Sequence, residues 1–368
     1  MPALDWITIK GFKSIKSIER LQFGPLNLLI GPNGAGKSNL IEAFSLLQAM
    51  REGKLQEYVA RAGGASRLLH FGADQTRELR LEVSFANETN QYAIHLVPTS
   101  ADSLFPSREH VGYWQKWTYP EPYEQALVPN QREAGISSSN MGSVATYVQD
   151  RLSRLRIYHF HDTSSTSAMK QTADIDDNRF LRPDGSNLAS FLYLLRTKHR
   201  AQYNEIRSTV QLVAPFFEDF ELNPRELNPS QIRLEWKHKG SSAYFDASSM
   251  SDGTLRFALL ATLFLQPSSY KPSVILVDEP ELGLHPYAVN VLASLMRQAS
   301  VENQVLASTQ STLLLDSFKP DDVLVANRVD GGTTVSRLSD DALGEWLNEY
   351  SLGQLWEKNE IGGRPSVG

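Results

Sequence analysis

The chain has 368 residues, no cysteine and 41% hydrophobic residues, enough to bury a large core in one elaborate domain or two lobes. Lack of cysteine excludes disulfide staples and thiolate metal sites, and a net charge of −6 confines any nucleic-acid contact to a local basic patch. No basic-then-apolar leader opens the sequence and no run approaches ~18 apolar residues, so the expectation is a soluble, cytoplasmic protein with no membrane association.

In chain order, "DWITIKGF" and "PLNLLIGP" read as short strands closed by glycine or proline. Leu40, Ile41, Phe44 and Leu47 then recur at helical spacing up to Gly53. "ELRLEVSF" and "QYAIHLVP" alternate as half-exposed strands around the turn-like "ANETN". Residues 99–150 are polar and weakly periodic, an insertion or loop region. "LRIYHFHD" reads as a strand. Ser186 is the expected N-cap of a helix with Leu188, Phe191, Leu192 and Leu195 on one face, and a second helix carries Tyr203, Ile206, Val210 and Val213. After the strand "QIRLEWKH", the pattern alternates: helix 255–265, strand 273–277, helix 287–299, and strands 304–307 and 323–327. Such alternation defines an α/β fold with a mainly parallel sheet.

Between a strand and a helix, "GPNGAGKS" fits G-x-x-x-x-G-K-[ST] at Gly31, Gly36, Lys37 and Ser38. The glycines let successive N–H groups curl around a phosphate at a helix N-terminus. Asn33, Gly34, Ala35, Gly36, Lys37, Ser38 and Asn39 are therefore expected against ATP, with Lys37 on the β/γ-phosphates and the Ser38 hydroxyl on Mg²⁺.

Such a loop needs a second strand that ends in a carboxylate. "VILVDEPELGLHP" supplies it: Asp278 suits Mg²⁺ held partly through water, and Glu279 suits activation of the attacking water. Pro280 ends the strand. Glu281 is expected to be a solvated loop acid, and His285, before Pro286, a structural residue at the next helix. His159 and His161 form an H-x-H pair without an evident third metal ligand. "GYWQKWTYPEPY" interleaves aromatics with too little positive charge for a single-strand platform; a packed hairpin or partner-binding flap fits better.

"MSDGTLRFALL" places Ser251, Asp252, Gly253 and Thr254 at the head of an amphipathic helix, a second anion-facing terminus 27 residues before Asp278 and 214 after Lys37. This arrangement resembles the ABC-type ATPase head. Together with "IKGFKSI", "YHFHDTS", "STQS" and "YSLGQLWEKNEIGG", the chain is most similar to the stand-alone RecF/SMC-like ATPases of prokaryotes, kin to the ATPase part of OLD-family nucleases. Asp252 departs from the transporter pattern, which has glycine there; no coiled-coil arm interrupts the chain, and no Toprim nuclease domain is expected, so nuclease activity is not carried over.

The resemblance implies one ABC-type head over 1–368: lobe I with the P-loop and a β-meander (1–100), an inserted loop and helical region (101–235), and lobe II with signature, acids and switch (236–368). It implies a homodimer formed on ATP binding, in which Ser251 and Gly253 of one copy meet the γ-phosphate on the other's P-loop. Lys13 would flank the nucleotide, His161 or Asp162 would serve the loop coupling the lobes, and Gln310 would stand where most ABC heads place a switch histidine. The implied activity is ATP hydrolysis by a switch acting on DNA or an effector protein, in a repair or phage-defence-like role. The alternative is a non-hydrolysing, nucleotide-sensing scaffold for a partner toxin or nuclease. A metabolite kinase leaves "SDGT" and "STQS" without a role.

Overall fold

The structure, a computed structural model, describes residues 4–128, 132–138, 142–160, 162–164, 166–344 and 346–362. The chain begins with β1 (Leu4–Phe12), β2 (Ile15–Gln22) and β3 (Leu26–Ile30), then, after the helix Lys37–Arg51, β4 (Leu79–Phe85), β5 (Asn90–Pro98), β6 (Leu104–Tyr113) and β7 (Tyr123–Ala126). All of these strands except β3 form one antiparallel sheet in the order β2-β1-β4-β5-β6-β7. Much of the segment expected to be an insertion is therefore sheet, with the helix Ser143–Ser153 following it. β6 and β7 pair Tyr113 with Tyr123 across a hairpin whose connection leaves Trp117 99% exposed.

β2 carries no alternating signal in the sequence, and the reason is visible. The β1–β2 register shifts between Ile7 and Ile9, and Ile15, Ile18 and Leu21, spaced by three, are its buried residues. The bulge adds one residue between Ile18 and Leu21, which face Ile9 and Ile7, so that step of the alternation is lost.

Next come β8 (Leu155–Tyr158), β9 (Ala173–Asp174), β10 (Phe217–Glu221), β11 (Pro224–Arg225), β12 (Asn228–Ile232), β13 (Glu235–His238) and β14 (Tyr244–Asp246). β8 stops before "HFHD", and "QIRLEWKH" splits between β12 and β13, which belong to two separate three-stranded sheets. The helix Leu188–Lys198 is headed by Asn187, not Ser186. Asn187 is fully buried and its amide donates to the carbonyls of Asp177 and Phe180, so it holds the incoming loop rather than the helix amides.

β15 (Val274–Asp278), β16 (Gln304–Ser308), β17 (Val323–Val329) and β18 (Gly332–Arg337) complete the central sheet, ordered β18-β17-β3-β16-β15-β8. Its neighbours run parallel except β17 and β18. β16 thus lies beside β15 and separates it from the P-loop strand β3. The apolar runs are continuous because both faces are covered. Ile275 and Val277 enter a core shared with the helices Leu188–Lys198, Arg200–Val213, Asp252–Leu265 and Pro286–Ala299, whereas Val274 and Leu276 enter one shared with the antiparallel sheet and the helix Lys37–Arg51.

One buried amide ties the two sheets together. Gln304, 2% exposed at the start of β16, accepts from the Leu4 N–H at 2.9 Å and donates to the carbonyls of Leu4 and Gly24, each at 2.9 Å. Gln304→Ala removes the buried partners of the Leu4 N–H and carbonyl, while the Gly24 carbonyl keeps the Asn27 amide, so urea unfolding is expected to show a loss of about 2–4 kcal/mol. A loss below ~1 kcal/mol would mean that water replaces the amide.

Candidate active site

The loop after β3 folds as its glycines allow. Gly31 lies at φ 150°, and a Cβ there would stand 2.4 Å from the Ala326 carbonyl of β17. At Gly36, φ 98°, a Cβ would meet Thr333 Oγ1 at 2.1 Å and Ser14 Oγ at 2.6 Å. Gly36 heads the helix Lys37–Arg51 without a side-chain cap, so the first-turn N–H groups remain available to an anion. From beneath, Thr333 Oγ1 donates to the Ala35 carbonyl at 2.8 Å and pairs with Ser14 Oγ at 2.7 Å, while Asn39 Nδ2 donates to Ser14 Oγ at 2.6 Å. The β1–β2 turn and β18 therefore brace the loop. Asn33, Gly34 and Ser38 are exposed along it.

Lys37 is 7% exposed, and its Nζ donates to the carbonyls of Gly31 at 2.7 Å and Pro32 at 3.3 Å. Burial pulls its pKa below the usual lysine value, opposed by the charges of Glu279, Asp278 and Glu281. Lys13, in contrast, pairs with Glu42 on the P-loop helix; its neighbour Ser14 is the residue that reaches the loop.

The acids stand at the ends of β15 and β16. Ser308 Oγ, fully buried, donates to Asp278 Oδ1 and accepts from the Glu279 N–H at 3.2 Å. Glu279 sits at φ 41°, a conformation that costs a non-glycine residue roughly 1–3 kcal/mol and recurs at functional sites. Its Oε1 accepts from Gln310 Nε2. The glutamine at the switch position and the glutamate meant to activate water are in direct contact.

Glu281 corrects its expected role as a solvated loop acid. Its Oε1 accepts from Thr309 Oγ1 at 2.5 Å and from the Gln310 N–H at 3.1 Å, while Oε2 is buried without a hydrogen-bond partner. Burial raises its carboxyl above the usual range, although those hydrogen bonds act the other way. A carboxylate that ends one strand thus holds the backbone that ends the next. Only the D-E-P-E spacing could have signalled it.

Ser251 caps the helix Asp252–Leu265, its Oγ accepting from the Thr254 N–H at 3.2 Å. A Cβ on Gly253 would lie 2.5 Å from the Gly283 carbonyl, so this turn packs on the loop that follows the acids. Arg256, 5% exposed, donates to the carbonyls of Phe160 and Leu282 and joins the end of β8 to that loop. No motif in the sequence pointed to Arg256, Ser308 or Thr333. Asp162 is exposed and held below the usual carboxylate range by the Ser164 side chain and N–H; His161 lies outside the described residues. Among the described residues no group of three His, Cys, Asp or Glu could hold a metal. His285 caps the helix Pro286–Ala299 by accepting from the Tyr287 N–H at 3.2 Å.

A mainly parallel sheet that carries a glycine phosphate loop after β3 and paired acids at the end of β15, with β16 between the two strands, covered by an antiparallel sheet and helices, defines an ABC-type P-loop ATPase head. Residues 26–316 match the family described as "AAA domain, putative AbiEii toxin, Type IV TA system", and the chain belongs to that family. It is 35% identical over 102 residues to the DNA replication and repair protein RecF of Magnetococcus marinus, covering 27% of this chain and 26% of that protein. To the chromosome partition protein Smc of Mycolicibacterium paratuberculosis it is 38% identical over 71 residues, 17% of this chain and 6% of that one. The chain thus matches about a quarter or less of these relatives' length. An Smc head solved with the C-terminal winged-helix domain of ScpA aligns with a TM-score of 0.61 at 17% identity, over 93% of this chain and 99% of that one. The Pyrococcus furiosus Smc head with an extended coiled coil, bound to the C-terminal domain of ScpA, aligns with 0.62 at 16%, over 95% and 99%. The fold is that of an SMC head, and the chain is similar in sequence to parts of RecF and Smc. Among the described residues no helix is long and apolar enough to cross a membrane.

Proposed function

We propose that the protein binds ATP-Mg²⁺, dimerises around two such sites and hydrolyses the nucleotide to release the dimer. The observation that carries this reading is the convergence of the buried Lys37 ammonium with Asp278, Glu279 and Glu281, with Glu279 held by Gln310. The uncapped amides at the head of the helix Lys37–Arg51 and the Lys37 ammonium bind the phosphates, with Asn33 to Asn39 around them. The Ser38 hydroxyl and Asp278 carboxylate are hard oxygen donors of the kind Mg²⁺ takes; bound there, the ion would offset the charge on the phosphate oxygens. Glu279 takes the proton of the attacking water, and Gln310, able to donate and accept, holds Glu279 and that water in line. Ser251 and Gly253 present the helix terminus of one copy to the γ-phosphate bound by the other, and Asp162 sits in the loop joining the lobes. Lys13 contributes from the rim through its pairing with Glu42.

The relatives suggest what the switch acts on: RecF is named for DNA replication and repair, and the Smc heads carry a ScpA domain. We take DNA or an effector protein as the partner, in a cytoplasmic setting. If the partner is DNA, an acidic chain should bind it weakly without ATP and with a steep salt dependence after dimerisation.

A complementation test addresses the shared site. Lys37→Ala and Ser251→Arg are each expected to be inactive while melting near the wild-type temperature, since losing the Ser251 cap costs only about 1 kcal/mol. Mixed, their heterodimers hold one ruined site and one with Lys37 and Ser251 intact, so phosphate release should partly return. Proven heterodimers without recovery would place the whole site in one chain. ATP binding with no phosphate release by the wild type would favour the scaffold.

A further inference from the structure

Lys170 lies outside every motif read from the sequence, at the end of a short 3-10 turn (Ala168–Lys170) beyond β8. It is 6% exposed, and its Nζ donates to the Thr163 carbonyl at 2.5 Å and to Asp252 Oδ1 at 3.2 Å. The pair is lopsided: the lysine side chain is 7% exposed and the Asp252 side chain 62%. Burying an ammonium against one carbonyl and one half-solvated carboxylate, with the exposed Asp162 charge nearby, is expensive for a contact that only decorates a surface. Asp252 needs no lysine for its own sake, because an acid in the first turn of a helix is already favoured by the helix dipole.

The pairing makes sense for an anion. Asp252 directly follows the Ser251 cap, at the helix end offered to a phosphate under the proposed function, on which this inference rests. An unneutralised carboxylate there would repel that phosphate and fill the positive potential of the helix terminus. Arg256, one turn on, reaches the carbonyls of Phe160 and Leu282 and so braces backbone. Lys170 donates to the Asp252 carboxylate at 3.2 Å, and the Arg256 guanidinium adds a second positive charge near it.

We propose that Lys170 is a positioning residue of the signature turn: it neutralises Asp252 and holds that carboxylate against the Thr163 segment, leaving the amide end of the helix open to the phosphate bound by a second copy. Lys170 touches no nucleotide. It acts through Asp252, and it links the phosphate-facing turn to the loop that follows β8.

The test is a charge-rescue cycle built on Glu279→Gln, in which association is read by light scattering with and without ATP-Mg²⁺. Lys170→Met is expected to weaken ATP-dependent association at least 10-fold with ATP affinity of the monomer unchanged. Lys170→Gln, which can still donate to the Thr163 carbonyl, should behave like the methionine variant and guards against a simple loss of folding. Adding Asp252→Asn to either should restore association to within about threefold, and Asp252→Asn alone should be near neutral. Lys170→Arg should retain association. Wild-type association in both lysine variants, or a double variant as poor as the single, overturns the proposal while leaving the shared site standing. If Glu279→Gln with Lys170 intact fails to associate in ATP-Mg²⁺, the shared-site reading falls and takes this role with it.

Discussion

Glu279→Gln is expected to bind ATP and keep it, with phosphate release reduced about 10³-fold, the mid-range cost of removing a general base. The geometry makes this substitution clean. Glu279 is held by its N–H on the Ser308 carbonyl and hydroxyl and by Gln310 Nε2 on its Oε1. A glutamine can keep its carbonyl oxygen toward Gln310 and tolerate the same φ of 41° no worse than glutamate, so position survives while basicity is lost. Removing one of three converging negative charges should also tighten ATP modestly. Because ATP then persists, linkage predicts a dimer stable in ATP-Mg²⁺ and weak without it; ligand at 100 times its Kd contributes about 2.7 kcal/mol per site to whichever state binds it. Single-turnover phosphate release and light scattering check the two halves. Hydrolysis within ~3-fold of wild type would move the base to another residue, with the buried, pKa-raised Glu281 the next to test.

The sequence made the chemistry-bearing strand ends legible because each constraint there is local. Gly31 and Gly36 need backbone space, Lys37 and Ser38 follow at fixed spacing, and Asp278–Glu279 terminate a run too apolar to be anything but a doubly covered strand. What hid were constraints that span the chain. Thr333 reaches the loop at Ala35 only because β18 closes the sheet next to β17. Glu281 looks like a surface acid until the sheet brings Thr309 to it. β2 hid behind a bulge, and Asn187 heads its helix in place of Ser186 while its amide holds the distant carbonyls of Asp177 and Phe180. The segment 99–150 looked like loop because β6 and β7 carry charge and proline at the edge of a sheet, where polar residues are tolerated.

Lys37→Ala should abolish productive nucleotide binding, with kcat/KM reduced by about 10³-fold or more, as expected when the cation for the transferred phosphoryl group is lost. Three losses act in the same direction. The cation expected on the β/γ-phosphates disappears. The carbonyls of Gly31 and Pro32 lose their donor, so the loop gives up bonds of 2.7 and 3.3 Å that hold its curl. Asp278, Glu279 and Glu281, whose charges now favour protonated Lys37, face incoming phosphate with no buried cation between them. Fold stability should respond differently. Burial is the largest influence on Lys37 and disfavours its charged form, so removing the ammonium relieves a desolvation cost while losing two hydrogen bonds; these offset to within about 1–2 kcal/mol. A melting temperature close to wild type together with lost ATP binding by calorimetry is therefore the expected signature. Lys37→Arg should not rescue, since the fork of a guanidinium cannot occupy the slot between the two carbonyls that one compact ammonium fills. Wild-type phosphate release by Lys37→Ala would remove the glycine loop from the reaction and with it the assignment of the whole site.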